Sequence, residues 1–328
     1  MFPGQGAQQP NMGRDIWEKH DKVKRIFSIA SDIFGDSVEE ICFHRPFQEV
    51  QRTDCAQIAI GTVSIALNEL LVERGAWPDV VIGHSAGEMA ALYASGAVSM
   101  PDVFKLITVR GRSMYEAALR HKGKMVAVVG ASASLVHEVV RKYANRGVLR
   151  VGNNNAPEEL VVTGDEDLVV LATQDLLQSD SVRIVDLKQQ GAWHSEHMAT
   201  AQNALAEVLL EIPIQCPRTP LLLNFSGCQV TDVSEIRRQL TEIVTGTVSW
   251  YPAIRKLAET MPRLFCEVGP NRILRGLVRK DLRDIDADSF DIAGVHDTQS
   301  VEVAAASIAG LRGSVSGLTL DAPAGSSV

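Results

Sequence analysis

Cysteine is scarce. The chain holds five cysteines in 328 residues. They are Cys42, Cys55, Cys216, Cys228 and Cys266, odd in number, scattered and without a CxxC pair. That pattern argues against a disulfide framework and against a zinc site, and it suits a reducing, cytoplasmic compartment. Positive charge is not in excess either. A formal net charge of −8 and a pI near 5.5 give no global basic field, so neither nucleic acid nor an anionic membrane is an expected partner. No apolar run reaches the roughly 18 residues that suggest a spanning helix. The first ten residues lack a charged segment followed by an apolar one, so no signal peptide is read there. Internal repeats are absent. Low-complexity sequence is confined to residues 322–328, which read as a flexible linker or tail. Phe2-Pro3-Gly4-Gln5-Gly6 is turn chemistry with no strand in front of it, which fits a trimmed element and an abrupt beginning equally.

What is there is ordinary globular material, 45% hydrophobic and 22% charged. The length suits one large domain, or one domain carrying an insert. Apolar spacing predicts helices over residues 23–33 and 57–74. Residues 80–82 are wholly apolar, as expected of a central parallel strand covered on both faces. A tight turn over 83–87 and a helix over 88–94 follow. From 124 to 188 the rhythm changes. Strands are expected at 125–129, 148–151, 160–163 and 182–187, with helices at 134–143 and 166–178. The second and third strands flank an Asn- and Pro-containing loop. The order β-α-β-β-α-β is ferredoxin-like and predicts a small antiparallel subdomain inserted into the larger α/β one. The chain then returns to a helix over 196–210, a strand over 221–224, a further helix and a strand over 264–268.

Strand, Gly-rich turn, helix is the setting of a nucleophile elbow, and the turn reads Gly83-His84-Ser85-Ala86-Gly87. A serine hydroxyl is a weak nucleophile at neutral pH; it needs a base for its proton and donors for the oxyanion. Ser85 sits at the tip of the bend. The N–H of Ala86, at the helix start, is aimed where an oxyanion would form. The competing reading is a plain tight turn with a serine cap.

Five further observations make the reading specific. Phe2 to Gln8 reads FPGQGxQ, and Gly83 to Glu88 reads GHSxGE. Val109-Arg110-Gly111-Arg112-Ser113-Met114 carries R-G-x-x-M. His194-Ser195-Glu196-His197-Met198 carries H-S-x-x-M. Glu267-Val268-Gly269-Pro270 carries E-x-G-P. In this order, from residue 2 to about residue 280, the chain resembles the malonyl-CoA:acyl carrier protein transacylase family. That family includes the acyltransferases of fatty-acid and polyketide synthases and stand-alone, trans-acting polyketide acyltransferases. The resemblance implies an α/β-hydrolase-like large subdomain with a parallel sheet plus an inserted ferredoxin-like small subdomain. The expected division is 1–122 with 191–295 as acyltransferase core, 123–190 as insert, and 296–328 as C-terminal extension.

The resemblance also implies roles. Ser85 would be the nucleophile and His194 the general acid/base, oriented by a backbone carbonyl that the segment 267–269 is expected to supply. His197 is the rival histidine. Gln5 and Ala86 would form the oxyanion hole. Arg110 would hold the carboxylate of a malonyl-type group, because a buried carboxylate needs a bidentate partner; Arg112 is expected to be solvated. His84 is read as a pocket wall, Gln57 and Asn155 as site-lining amides. Gly191-Ala192-Trp193-His194 stands where modular polyketide acyltransferases often read HAFH for malonyl and YASH for methylmalonyl. Trp193 is larger than Phe, which favours malonyl over branched units. The implied activity is that of an acyl-carrier-protein S-malonyltransferase, with no permanently bound cofactor and no metal. Malonyl-CoA would be the substrate, and the phosphopantetheine arm of an acyl carrier protein the acceptor. The protein is expected as a monomer or as part of a megasynthase. Carrier proteins are usually acidic, so Arg272, Arg275, Arg279 and Arg283 are candidate docking contacts, against the alternative of a solvated helix face. Three rivals remain: a serine esterase using His296-Asp297, an editing hydrolase, and a catalytically silent carrier-docking module.

Overall fold

The structure is a computed structural model describing residues 1–189, 191–286 and 289–316. The linker-like run 322–328 lies outside the described residues.

The core of the large subdomain is a sheet built from very short strands. Val81–Ile82 is buried, as a wholly apolar run predicts. It pairs in parallel with Leu221–Leu223, which pairs antiparallel with Cys228–Val230. On the other side Phe2 forms a parallel bridge to Gly83. Phe2 N–H donates to Ile82 O and Phe2 O accepts from His84 N–H, both at 2.9 Å. Val268 N–H donates to Met1 O at 2.8 Å, which ties in Leu264–Val268 and its parallel neighbour Asp291–Val295. The Gly-rich turn therefore does have extended backbone before it: Met1 and Phe2 sit between the elbow strand and Leu264–Val268. Two residues are too few to show a period.

Helix Thr53–Glu73 runs through the interior. It is long and apolar enough to cross a membrane, yet 89% of its apolar window is buried inside the protein. Its polar residues Thr53, Asp54, Gln57, Thr62, Ser64 and Asn68 are buried with it. It is a core helix, and two of those polar groups reach the site described below. Helix Met100–Arg120 packs beside it, started by the Ser99 side chain accepting from Asp102 N–H.

The inserted subdomain has strand order Arg183–Asp186, Lys124–Val129, Glu159–Gly164, Leu149–Ala156, every neighbour antiparallel. That is the ferredoxin-like order. Helices Ala133–Tyr143 and Glu166–Leu176 cover it, and Val126, Val128, Leu160 and Val162 join them in a separate core. Two features differ from the sequence expectation. The Asn run is not a loop: the strand continues to Ala156, with register shifts between Val151 and Asn153 and between Asn154 and Ala156. Such irregularities break strict alternation: Gly152 and Asn153 are both buried, and so are Asn155 and Ala156. In addition, Val248–Ser249, far beyond the insert in sequence, pairs in parallel with Asn153 and Asn154 as a fifth strand.

Candidate active site

The elbow depends on two glycines. A Cβ on Gly83 would lie 2.1 Å from the Gly87 carbonyl carbon, and one on Gly87 would lie 2.1 Å from Phe2 O. Strand and helix can approach this closely only without side chains. Ser85 then takes a left-handed backbone, φ 51°, which costs a non-glycine residue about 1 kcal/mol or more. Helix Gly87–Ala94 begins directly behind it.

His194 reaches Ser85 from the other side of the insert, also with a left-handed backbone, φ 61°. Ser85 Oγ lies 2.8 Å from His194 Nε2. His194 Nδ1 lies 2.8 Å from Ile243 O. A carbonyl can only accept, so Nδ1 carries the hydrogen and Nε2 is free to take the serine proton. The orienting carbonyl is therefore that of Ile243 and not one from residues 267–269. Ile243 caps the C-terminus of helix Val233–Glu242, where carbonyls lack helical partners. Glu267 is occupied elsewhere: its carboxylate accepts from the N–H groups of Leu274 (3.0 Å) and Arg275 (2.9 Å), capping helix Ile273–Asp281. Burial, reinforced by the Arg110 charge, pushes the His194 pKa down to about 3, so the imidazole is neutral at any physiological pH.

The rival histidines lie elsewhere. His197 Nε2 is 2.6 Å from Asp165 Oδ1 and its ring stacks on His121 at 5.0 Å. His296 stands 3.5 Å from Asp297 and 3.4 Å from Arg272. Neither lines the cavity around Ser85.

Arg110 projects from helix Met100–Arg120 and is 1% exposed. Its Nη1 donates to Gln57 Oε1 at 2.6 Å, and its Nη2 donates to Ser85 Oγ at 3.2 Å. Among the described residues no carboxylate pairs with it directly. Burial lowers its pKa to about 10, opposed by the charge of Glu88. Glu88 lies under the elbow, and burial lifts its pKa to about 8, opposed first by the Asn224 N–H and then by Arg110. A guanidinium with no salt-bridge partner inside a cavity can accept an anion as a partner. Arg112, two residues further on and turned to another face of the helix, is exposed; it stacks over Phe34 at 4.8 Å and donates to the Phe34 carbonyl.

A hydrogen-bonded chain runs from Arg110 around the cavity. Gln57 Nε2 donates to Thr53 Oγ1 (3.0 Å), Thr53 Oγ1 to Gln5 Oε1 (2.6 Å), and Gln5 Nε2 to Gln189 Oε1 (2.8 Å). Gln189 also accepts from Trp193 Nε1 at 3.1 Å. The Gln5 side chain is thus committed, which leaves its backbone N–H as the group an oxyanion could use. Gln5 and Ala86 both line the cavity. His84 lies 2.9 Å from Asn155 Oδ1 through Nε2, packs 5.4 Å from the Trp250 ring, and has its pKa lowered by burial. The cavity holds about 340 Å³ and is walled on the insert side by Met125, Ala127, Asn153, Asn155, Val161 and Trp193.

Four participants carried no reading in the sequence. Ile243 acts through its backbone, which leaves no side-chain signature. Thr53 and Gln189 are ordinary polar residues until the fold brings them to Gln5. Asn224 does carry a sequence signal, a polar residue closing the apolar run Leu221–Leu223, and the fold buries it fully.

A serine on a strand-to-helix elbow, hydrogen-bonded to a buried histidine in a largely parallel α/β core, is the arrangement of a serine-nucleophile α/β enzyme. The chain belongs to the acyl transferase domain family, whose model matches residues 1–316. It is 32% identical over 305 residues to the malonyl CoA-acyl carrier protein transacylase of Bacillus subtilis, covering 93% of this chain and 95% of that one. Among solved structures, MCAT from Streptococcus pneumoniae matches with a TM-score of 0.86 and 32% identity over 93% of this chain and 98% of that one. A malonyl-transacylase in complex with its type II PKS acyl-carrier protein matches with a TM-score of 0.88 and 26% identity, over 93% and 98%.

Proposed function

We propose that this chain transfers a malonyl group from malonyl-CoA to the phosphopantetheine thiol of an acyl carrier protein, through an ester on Ser85. The observation that carries the proposal is the trio at one point: Ser85 Oγ is 2.8 Å from His194 Nε2 and 3.2 Å from Arg110 Nη2. His194 Nε2 takes the hydroxyl proton as Oγ attacks the thioester carbonyl. The oxyanion rests on the N–H groups of Ala86 and Gln5. Collapse breaks the C–S bond, and His194 returns the proton to the CoA sulfur. The malonyl carboxylate lies on Arg110. The carrier's thiol then gives its proton to His194, attacks the ester and regenerates Ser85. Ping-pong kinetics follow.

The acyl unit read here is unbranched malonyl. Trp193 is pinned by Gln189 and packs on Gly191, where a Cβ would come within 2.8 Å of its ring. A single added methylene is worth about 1–3 kcal/mol in such a pocket. Intact mass after exposure to a panel of acyl-CoAs tests both statements. Malonyl-CoA should label Ser85 faster than acetyl-CoA or methylmalonyl-CoA. An unlabelled protein, or equal labelling by all three, would refute the reading.

Carrier docking is assigned to the helix that starts beside the cavity. Arg275 is removed from the candidate contacts: it lies 3.8 Å from buried Glu267 and its side chain is only 15% exposed. Arg283 faces Glu158 at 3.5 Å. Arg272 and Arg279 are exposed, and Arg272 adjoins Ile273, which lines the cavity. Arg279→Glu should raise the apparent KM for the carrier severalfold and leave malonyl-Ser85 formation unchanged; an unchanged KM removes the docking assignment.

A further inference from the structure

Asn224 is fully buried and spends all its polar groups on the elbow and the segment beside it. Its Oδ1 accepts from Ser85 N–H at 2.7 Å, and its Nδ2 donates to Gly83 O at 2.7 Å. Its own N–H donates to Glu88 Oε1 at 2.6 Å. Its C=O accepts from Ser249 N–H at 2.9 Å. Strand Leu221–Leu223 pairs in parallel with Val81–Ile82, so the next residues of the ladder would be Gly83 and His84 on the elbow side. There the backbone bends away into the left-handed Ser85, and a backbone ladder cannot follow it. A primary amide can. It offers one acceptor and one donor at fixed separation, and here they grip residues 83 and 85 across the bend.

A left-handed non-glycine residue persists only where its surroundings over-determine it. Gly83 and Gly87 permit the bend sterically, but permission does not select one geometry. We propose that Asn224 is a positioning residue for Ser85: its side-chain amide replaces the missing ladder and holds Oγ at the distance from His194 that acyl transfer requires. Glu88, behind it, fixes the Asn224 backbone in turn. The inference rests on the transacylase reading for its reaction, and on the elbow geometry alone for its mechanics.

The test uses Asn224→Ala, which deletes both bonds, and Asn224→Asp, which keeps volume and acceptor but cannot donate to Gly83 O. Ser85 acylation by malonyl-CoA is followed by rapid quench and intact mass. Ser85 phosphonylation by a fluorophosphonate, which needs no CoA or carboxylate recognition, is followed in parallel. Thermal melts establish that each variant is folded at the assay temperature. Both variants should lose roughly 100-fold in both labelling rates, the scale expected for a displaced reacting atom. The KM for malonyl-CoA should stay within about threefold of the parent, because the lost geometry concerns the chemical step and not binding. Folded variants that label at the parental rate would overturn the assignment. So would a loss confined to KM. Failure of both variants to fold would make Asn224 a core residue and end the proposal. A parent protein labelled by the fluorophosphonate but not by malonyl-CoA would sink the transacylase reading alone, leaving the phosphonylation rates to judge Asn224.

Discussion

His194→Ala is expected to slow acylation of Ser85 by malonyl-CoA roughly 10⁴-fold, the upper range for one general base. The physical reason is the proton. Without Nε2 at 2.8 Å, the Ser85 hydroxyl must ionise on its own at neutral pH, and no other base adjoins it among the described residues. Arg110 cannot substitute, because a guanidinium has no lone pair to offer. His296→Ala should leave the rate unchanged, since that ring pairs with Asp297 and Arg272 outside the cavity. The pH profile supplies a second check. Burial and the Arg110 charge both disfavour the imidazolium, placing the folded pKa at about 3. As pH falls from 8 to 5, an ordinary histidine would take up a proton near 6.5 and the rate would drop with it. In this protein Nε2 stays free through that window, so acylation should show no limb near 6.5. A rate limb near 6.5, or a His194→Ala variant within about tenfold of the parent, would contradict the assignment of the base.

Arg110→Ala is expected to change which acyl group is accepted, not only how fast. Arg110 is buried, has no direct carboxylate partner among the described residues, and donates to Ser85 Oγ and Gln57. A malonyl carboxylate entering the cavity completes a charge-assisted pair there. Hydrogen bonds to charged groups contribute about 1.5–3 kcal/mol each, so losing a bidentate pair should cost malonyl-CoA at least ~100-fold in kcat/KM. Acetyl-CoA has no carboxylate to lose and should be unaffected or improved. The measured quantity is the malonyl-to-acetyl ratio of acylation rates before and after substitution. Arg110→Lys should restore only part of it, because an ammonium is a point charge without the planar fork. If the ratio is the same in the parent and in Arg110→Ala, Arg110 is a structural cation held for Gln57 and Glu88.

Much of this site was legible because its chemistry is local. Val81, Ile82 and the five residues after them carry strand, bend and helix within one window, so the elbow follows from sterics. The ferredoxin-like insert was legible for the same reason: each strand and helix shows its own period, and their order admits few topologies. The Asn run was misread because a bulge resembles a loop when judged by alternation. Met1 and Phe2 were missed as a strand because their ladder comes from partners about 80 and 265 residues away.

By itself, then, the sequence determined which residue types are present and where the chain must bend: Ser85 at an elbow, an arginine on a helix between the elbow and the insert, a histidine after the insert. It could not determine which carbonyl orients His194. Every residue carries an identical carbonyl, and only packing selects Ile243 at the end of Val233–Glu242. Nor could it show that Thr53, Gln5 and Gln189 form one hydrogen-bonded belt, or that Asn224 grips both sides of the bend. Those assignments depend on directions and distances of about 3 Å between segments far apart in the chain, and such distances exist only once the core has closed.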